Sequence, residues 1–348
     1  MAINPAIGSI AGAIQRNRDT AATEPTFKHG LTGGSPFSAG RTISNTPVAC
    51  GNRAPSDAYV DSVEVGASVE ALCYPTSLGY YLYAGLGKVK SSAVANATGY
   101  YKHVFTMGDS LPYLTIWSQV GVDNFTKVIG SKASSVAIAA SGNAPLTLNA
   151  EFVGIDGEVG IDAIPGTLDA DCYGGKFIPT DCTIKLDTAG ATPAEEIVTD
   201  FSFTIANGTS GLSSIGRVTP RDIADGNLSA GVSVTIIPDN IEPYQKLVTG
   251  SKTSTKITSK IVMGTVYAKF AHSDDPTITL EIEVAHVPFT ADYPSVDPEG
   301  TEGTIQFTCD AALITAAGES PAKVTLVNKQ AAYALGDGAA TVSTKSTK

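Results

Sequence analysis

Hydrophobic residues in this chain recur mainly at every second position. Val63, Val65, Ala67 and Val69 alternate with polar or small residues, and so do Leu146, Leu148, Ala150 and Phe152. A period of two puts one side of a strand in a core and the other in solvent. Val136, Ile138 and Ala140 face one way, Ser141-Gly142-Asn143 turns the chain, and the run from Leu146 returns, which predicts a hairpin. The same pattern predicts strands around His103–Phe105, Leu114–Val120, Thr183–Asp187, Phe201–Ile205 and Val232–Ile236. Further strands are expected at Val266–Phe270, Ile278–Val284, Ile305–Cys309 and Val324–Val327, with a turn at Asp274-Asp275-Pro276 joining the first two.

Two short segments read as helices. From Pro75 to Gly87, Leu78, Leu82 and Leu86 lie four apart on one stripe, Pro75 sits near the start and Gly87 at the end. Tyr80, Tyr81 and Tyr83 add apolar bulk on the other sides, so neighbours must cover this helix. The second runs from the acidic start Asp239-Asn-Ile-Glu242 to Gly250. Residues 1–60 are rich in turn formers and read as an extended N-terminal arm. Glycine and proline between 155 and 175 mark a boundary. The expected organisation is therefore an arm (1–60), a first β-domain (61–165), a second (166–335) and a flexible tail (336–348). The two halves share an order of elements, each with one short helix, which points to an internal duplication. A long loop over 207–231 interrupts the second half.

Composition sharpens this picture. Hydrophobic residues make up 43% of the 348 and charged residues only 16%, which suits strands and turns better than exposed helices. The net charge of −11 argues against a protein that grips nucleic acid, since an acidic surface gains nothing from counterion release. It is compatible with a surface that DNA passes without sticking. Cys50, Cys73, Cys172, Cys182 and Cys309 are odd in number and have no C-x-x-C spacing, so buried free thiols are expected. The N-terminus lacks a signal-peptide pattern, and no apolar run is long enough for a membrane helix.

Catalytic signatures are missing. His29, His103, His272 and His286 form no i, i+4 pair, and neither a G-x-S-x-G elbow nor a phosphate-binding loop occurs. Gly30-Leu-Thr-Gly-Gly34 reads as a turn. The acids Asp169/Asp171 and Asp274/Asp275 lack the spacing of a calcium loop, so no metal, cofactor or catalytic residue is assigned. Trp117, the only tryptophan, sits mid-strand and is expected in a core or an interface. Glu281 and Glu283 lie on the polar face of their strand and are candidates for an acidic inner wall.

The order of motifs from Val63 to Gly154 resembles tail tube proteins of long-tailed bacteriophages. A strand is followed by Pro75, Leu78, Gly79, Leu82 and the closing Gly87. Then come His103 and Phe105, the run Leu111 to Ile116, Gly130, Lys132, Leu146-Thr-Leu148 and Gly154. Residues 176–310 match more loosely. The resemblance implies a mainly β fold of sandwich or half-barrel domains, each with a flanking helix. It also implies a structural, non-enzymatic role as a tube subunit in a siphophage virion, assembled in the host cytoplasm. Sheets joined edge to edge would form stacked rings, homotrimeric if the chain is duplicated and homohexameric if not. The partners would be tape measure and terminator proteins, with DNA passing during ejection and no membrane involved. Pro75, Leu78, Gly79, Leu82, Gly87 and Trp117 become structural or interface candidates, and Glu281 and Glu283 candidates for the lumen. The alternative is a β-sandwich adhesin or carbohydrate-binding protein of a phage or cell surface.

Overall fold

In the computed structural model of the chain, which describes residues 4–46, 57–95, 97–171, 176–179, 182–188, 193–294, 303–314 and 318–335, the alternating segments form two antiparallel sheets. The first half supplies β1 (Gly8–Ile14), β2 (Phe27–Gly30), β3 (Ser38–Asn45), β4 (Ala58–Leu72), α1 (Pro75–Leu86), β5 (Gly87–Ala93), β6 (Tyr101–Met107), β7 (Leu114–Val120), β8 (Phe125–Ser141), β9 (Thr147–Gly154) and β10 (Asp156–Ile161). Next follow β11 (Thr183–Asp187), β12 (Ala194–Glu195), β13 (Val198–Ala206), β14 (Ser210–Ser214), β15 (Arg217–Ala224), β16 (Ser229–Ile236) and α2 (Glu242–Thr249). The chain continues with β17 (Gly264–Ala271), β18 (Thr279–Val287), β19 (Thr290–Ala291), β20 (Ile305–Cys309) and β21 (Ala322–Asn328).

The long strand β8 organises the larger sheet. Its C-terminal half pairs with β9 on one side and β13 on the other. Its N-terminal half pairs with β10 and β7 instead. The sheet therefore forks. One branch is the run β3-β4-β9-β8-β13-β16-β20-β19, eight strands in order, with β3 paired along the N-terminal half of β4 and β9 along its C-terminal half. The other carries β2, β1, β7 and β10. The second sheet has seven strands in the order β12-β11-β17-β18-β21-β6-β5. Each sheet mixes strands from both halves of the sequence, through β8 with β13 and β6 with β21.

Helix α1 lies between the sheets, against β8 and β13 on one side and β5, β6 and β21 on the other. Leu78, Leu82 and Leu86 are fully buried there, each stabilising the fold by roughly 1.5–3 kcal/mol relative to exposure. Gly87 ends the helix at φ 83°, a left-handed cap that a side chain disfavours. Gly79 has a different cause: a Cβ there would meet the ring of Tyr333 at 2.1 Å. The Tyr333 hydroxyl donates to the carbonyl of Thr76 (2.9 Å), and Asn328 Nδ2 donates to that of Pro75 (2.7 Å), so the C-terminal segment clamps the start of α1. Away from the helix the sheets touch directly, as where Phe201 of β13 meets Phe270 of β17 at 5.8 Å between ring centroids.

Three expectations change. The stretch expected as an arm holds β1, buried along most of its length and paired with β7, together with β2 and β3. Its apolar positions are Ala and Ile among Gly and Ser, which hide the strand pattern from a hydropathy reading. The loop expected over 207–231 contains the hairpin β14–β15, whose Ser/Gly-rich strand gave no alternation. Helix α2 begins at Glu242 and has no side-chain cap on its Ncap residue, Ile241; Asn240 Oδ1 accepts from the Glu242 amide instead. Cys50, Cys172 and the 336–348 tail lie outside the described residues.

Candidate assembly surfaces

The outer face of the eight-stranded branch is built row by row. Residues opposite one another in an antiparallel pair point to the same side, so one row reads Leu72, Thr147, Ala139, Ser202, Ser233, Thr308 and Thr290. The next is Glu70, Asn149, Ala137, Thr204 and Gly231, and then Ser68, Glu151, Ser135, Ala206 and Ser229. These are the polar and small positions of the same alternation that buries Val69, Ala150, Val136, Ile205 and Ala230 on the other side. The charged residues on this face are Glu64, Glu70, Glu151 and Asp200. Among its described residues the only cation is Lys132, which is buried and bonded to Asp225 at 2.7 Å. Asp200 accepts a hydrogen bond from Ser141 Oγ, 2.6 Å away.

The seven-stranded sheet presents the opposite sign. Lys88, Lys90, Lys102, Lys185, Lys269 and Lys323 share its outer face with Glu195, Glu281 and Glu283. Glu281 is 2.9 Å from Lys269 Nζ, and Glu283 is 2.9 Å from Lys323 Nζ. The two glutamates singled out in the sequence thus sit among lysines. The uncompensated carboxylates lie on the other sheet, spread over β4, β9 and β13, where no local cluster signals them.

The edges differ as well. The eight-stranded branch ends at β3, which is exposed along nearly its whole length and carries one charge, Arg41, in eight residues. Its other end is the two-residue β19 beside β20. The seven-stranded sheet ends at β5, whose exposed Lys88 and Lys90 alternate along the edge, and at the two-residue β12. Lysines and short strands blunt an edge against further pairing, and a long uncharged edge invites it.

The hairpin β14–β15 packs against β4 and β9 at one end of the face. Its stalk is tied to the first half of the chain. Asp222 accepts from Tyr113 (2.6 Å) and from Arg18 (3.0 Å), and the Lys132 ammonium lies 4.4 Å above the Tyr113 ring. Burial pushes the Asp222 carboxyl up, but hydrogen bonds from Tyr113, the Ile223 amide and Arg18 outweigh it and hold it below its ordinary value. At the hairpin tip, Ile215 is wholly exposed.

The helix-motif candidates fall inside the chain. Pro75, Leu78, Gly79 and Leu82 are buried in α1. Trp117 is 2% exposed and packs with Ala11 and Ala13 of β1. The buried thiols Cys73 and Cys309 are raised by burial. Asp275 is engaged by Tyr100 and Lys329.

A profile of the family described as phage tail tube protein matches residues 18–325 of the chain. The chain belongs to that family. No curated protein matches it. The matched stretch begins at Arg18, whose guanidinium ties the N-terminal segment to Asp222, and ends at Thr325 of β21. In this phage tail tube protein the larger sheet is open, its β3 edge is unguarded by lysine, and its outer face is acidic.

Proposed function

We propose that this tail tube protein closes into rings of three copies. The exposed edge of β3 in one copy would add to the β19–β20 edge of the next. The carboxylate face of the eight-stranded branch would then line a bore through which DNA leaves the capsid. The observation that carries this reading is the face itself: built on a run of eight strands, small in its side chains, with Glu64, Glu70, Glu151 and Asp200 as the charges on its strands outside the buried Lys132.

Strand number supports three copies. One copy supplies eight strands, the size of a barrel filled by its own side chains, and two would give about 16, the size of a solute-passing porin. Three would give about 24, the first multiple that leaves room for a hydrated duplex. Like charge keeps the phosphate backbone off the wall, so passage needs no contact to be broken. We place the bore here and not at Glu281 and Glu283, whose lysine neighbours would attract the duplex. The reading assigns a structural role without catalysis, in a siphophage tail where tape measure and terminator proteins would meet the ends of the tube.

Electron microscopy of the purified chain tests this. Rings with three subunits and a central channel are expected. A protein that stays monomeric at high concentration in all buffers tried overturns the reading.

A further inference from the structure

Two groups of exposed large apolar side chains lie at the two ends of the eight-stranded branch. At one end the β3–β4 ribbon projects past the body of the sheet. It shows Ile43 (64% exposed), Tyr59 (54%) and Val60 (39%), in a register that sets Ile43 opposite Val60. The exposed carboxylates Asp57 and Asp61 flank Tyr59 and Val60. At the other end, beyond Ile236 of β16, α2 is followed by a loop over 251–263. There Ile257 (79%) and Ile261 (73%) alternate with the exposed ammonium groups of Lys256 and Lys260. The 15-residue β4 sets these ends apart by a distance of about 45 Å.

The loop is held in shape. Its Thr258 amide donates to the Val248 carbonyl (2.9 Å), and Gln245 Nε2 of α2 donates to the Ser254 carbonyl (2.7 Å). Ser254 and Thr258 hydroxyls accept from the Lys256 and Lys260 amides at 3.3 and 3.1 Å. A loop braced on a helix, yet turning two isoleucines to solvent, is preorganised for a partner, because little ordering remains to oppose binding.

Both ends interleave apolar groups with charge: on the ribbon Asp57, Asp61 and Glu64 outnumber the one cation, Arg41, and the loop carries lysines without acids. We infer that the partner of the loop is a second copy of this chain: Lys256, Ile257, Lys260 and Ile261 dock on the β3–β4 ribbon, against Asp57, Tyr59, Val60 and Asp61. The contact is head-to-tail and does not close on itself, so it propagates along an axis. This rests on the ring reading above and assigns the second contact a tube needs, the one between rings.

The test uses the full-length chain, with polymer length read by negative stain and sedimentation. Ile257→Ser with Ile261→Ser should leave single rings or very short stacks, with at least a tenfold loss of sedimenting polymer. Lys256→Glu with Lys260→Glu should do the same, and so should Asp57→Lys with Asp61→Lys. The chain carrying both charge reversals should recover long polymers, which loss of folding cannot mimic. Unchanged polymer in the single sets, or no recovery in the combined chain, overturns this contact. Wild-type protein that forms no rings defeats the tube reading itself. Tubes formed alike by the wild type and every variant leave that reading intact and remove only this one.

Discussion

Single residues in this chain are constrained by what lies across the sheets from them. Gly79 is an example: the Tyr333 ring occupies the place of its Cβ, although 254 positions separate them in sequence. Gly79→Ala should therefore destabilise the fold by about 1–3 kcal/mol, the usual cost of overpacking, seen as a lower denaturant midpoint. His29 makes a pH prediction. It is buried, bonded to the Tyr81 hydroxyl (2.7 Å) and the Gly30 carbonyl (2.8 Å), and burial lowers its pKa to about 4. Its ordinary value is 6.5, so between these values the unfolded chain binds the proton more readily. Stability from this site is complete above pH 6.5 and falls as pH drops toward 4, by about 3 kcal/mol in all. An imidazole resonance of His29 that titrates near 6.5 in the folded protein would contradict this.

Elements were legible in the sequence where alternation was strong. The hairpin β8–β9, strands β13, β16, β17, β18, β20 and β21, and helix α1 follow from period and punctuation alone, because each buries one clean apolar face. What the period could not supply was pairing. Nothing in Val136–Ala140 says that its second partner is Phe201–Ile205, since any alternating strand fits any other until a core volume selects one. Strand β1 was missed because Ser9, Gly12 and Ala13 carry little hydropathy, although β1 is buried. The acidic face was missed for a related reason. Its carboxylates occupy the polar half of the alternation, singly, on three strands that only the fold brings together. At this scale the edge strand β3 is the test piece. Gly40→Lys with Thr42→Lys would reproduce on β3 the guard that Lys88 and Lys90 provide on β5. On the ring reading, the expected result is a folded monomer by analytical ultracentrifugation under conditions in which the wild type is expected to assemble.

For the whole molecule, the uneven distribution of charge matters more than the total. The net −11 hides one sheet face whose exposed charges are acids and another where lysines outnumber glutamates. Reversing the first, by Glu70→Lys with Glu151→Lys, should turn a wall that repels duplex into one that holds it. Assembled variant tubes should retain DNA at low salt and release it as salt rises, and wild-type tubes should retain none. Equal retention by both would show that this face is not the bore.

The pairing of β8 with β13 joins the two halves of one polypeptide side by side. Peptide continuity makes that junction intramolecular: it needs no encounter between molecules and cannot be lost by dilution. In the three-membered ring proposed above, every other seam would be sealed in this way before assembly starts. Nucleation of that ring would be a meeting of three bodies where separate halves would need six. The two halves carry different ornaments: the hairpin β14–β15 lies in the second.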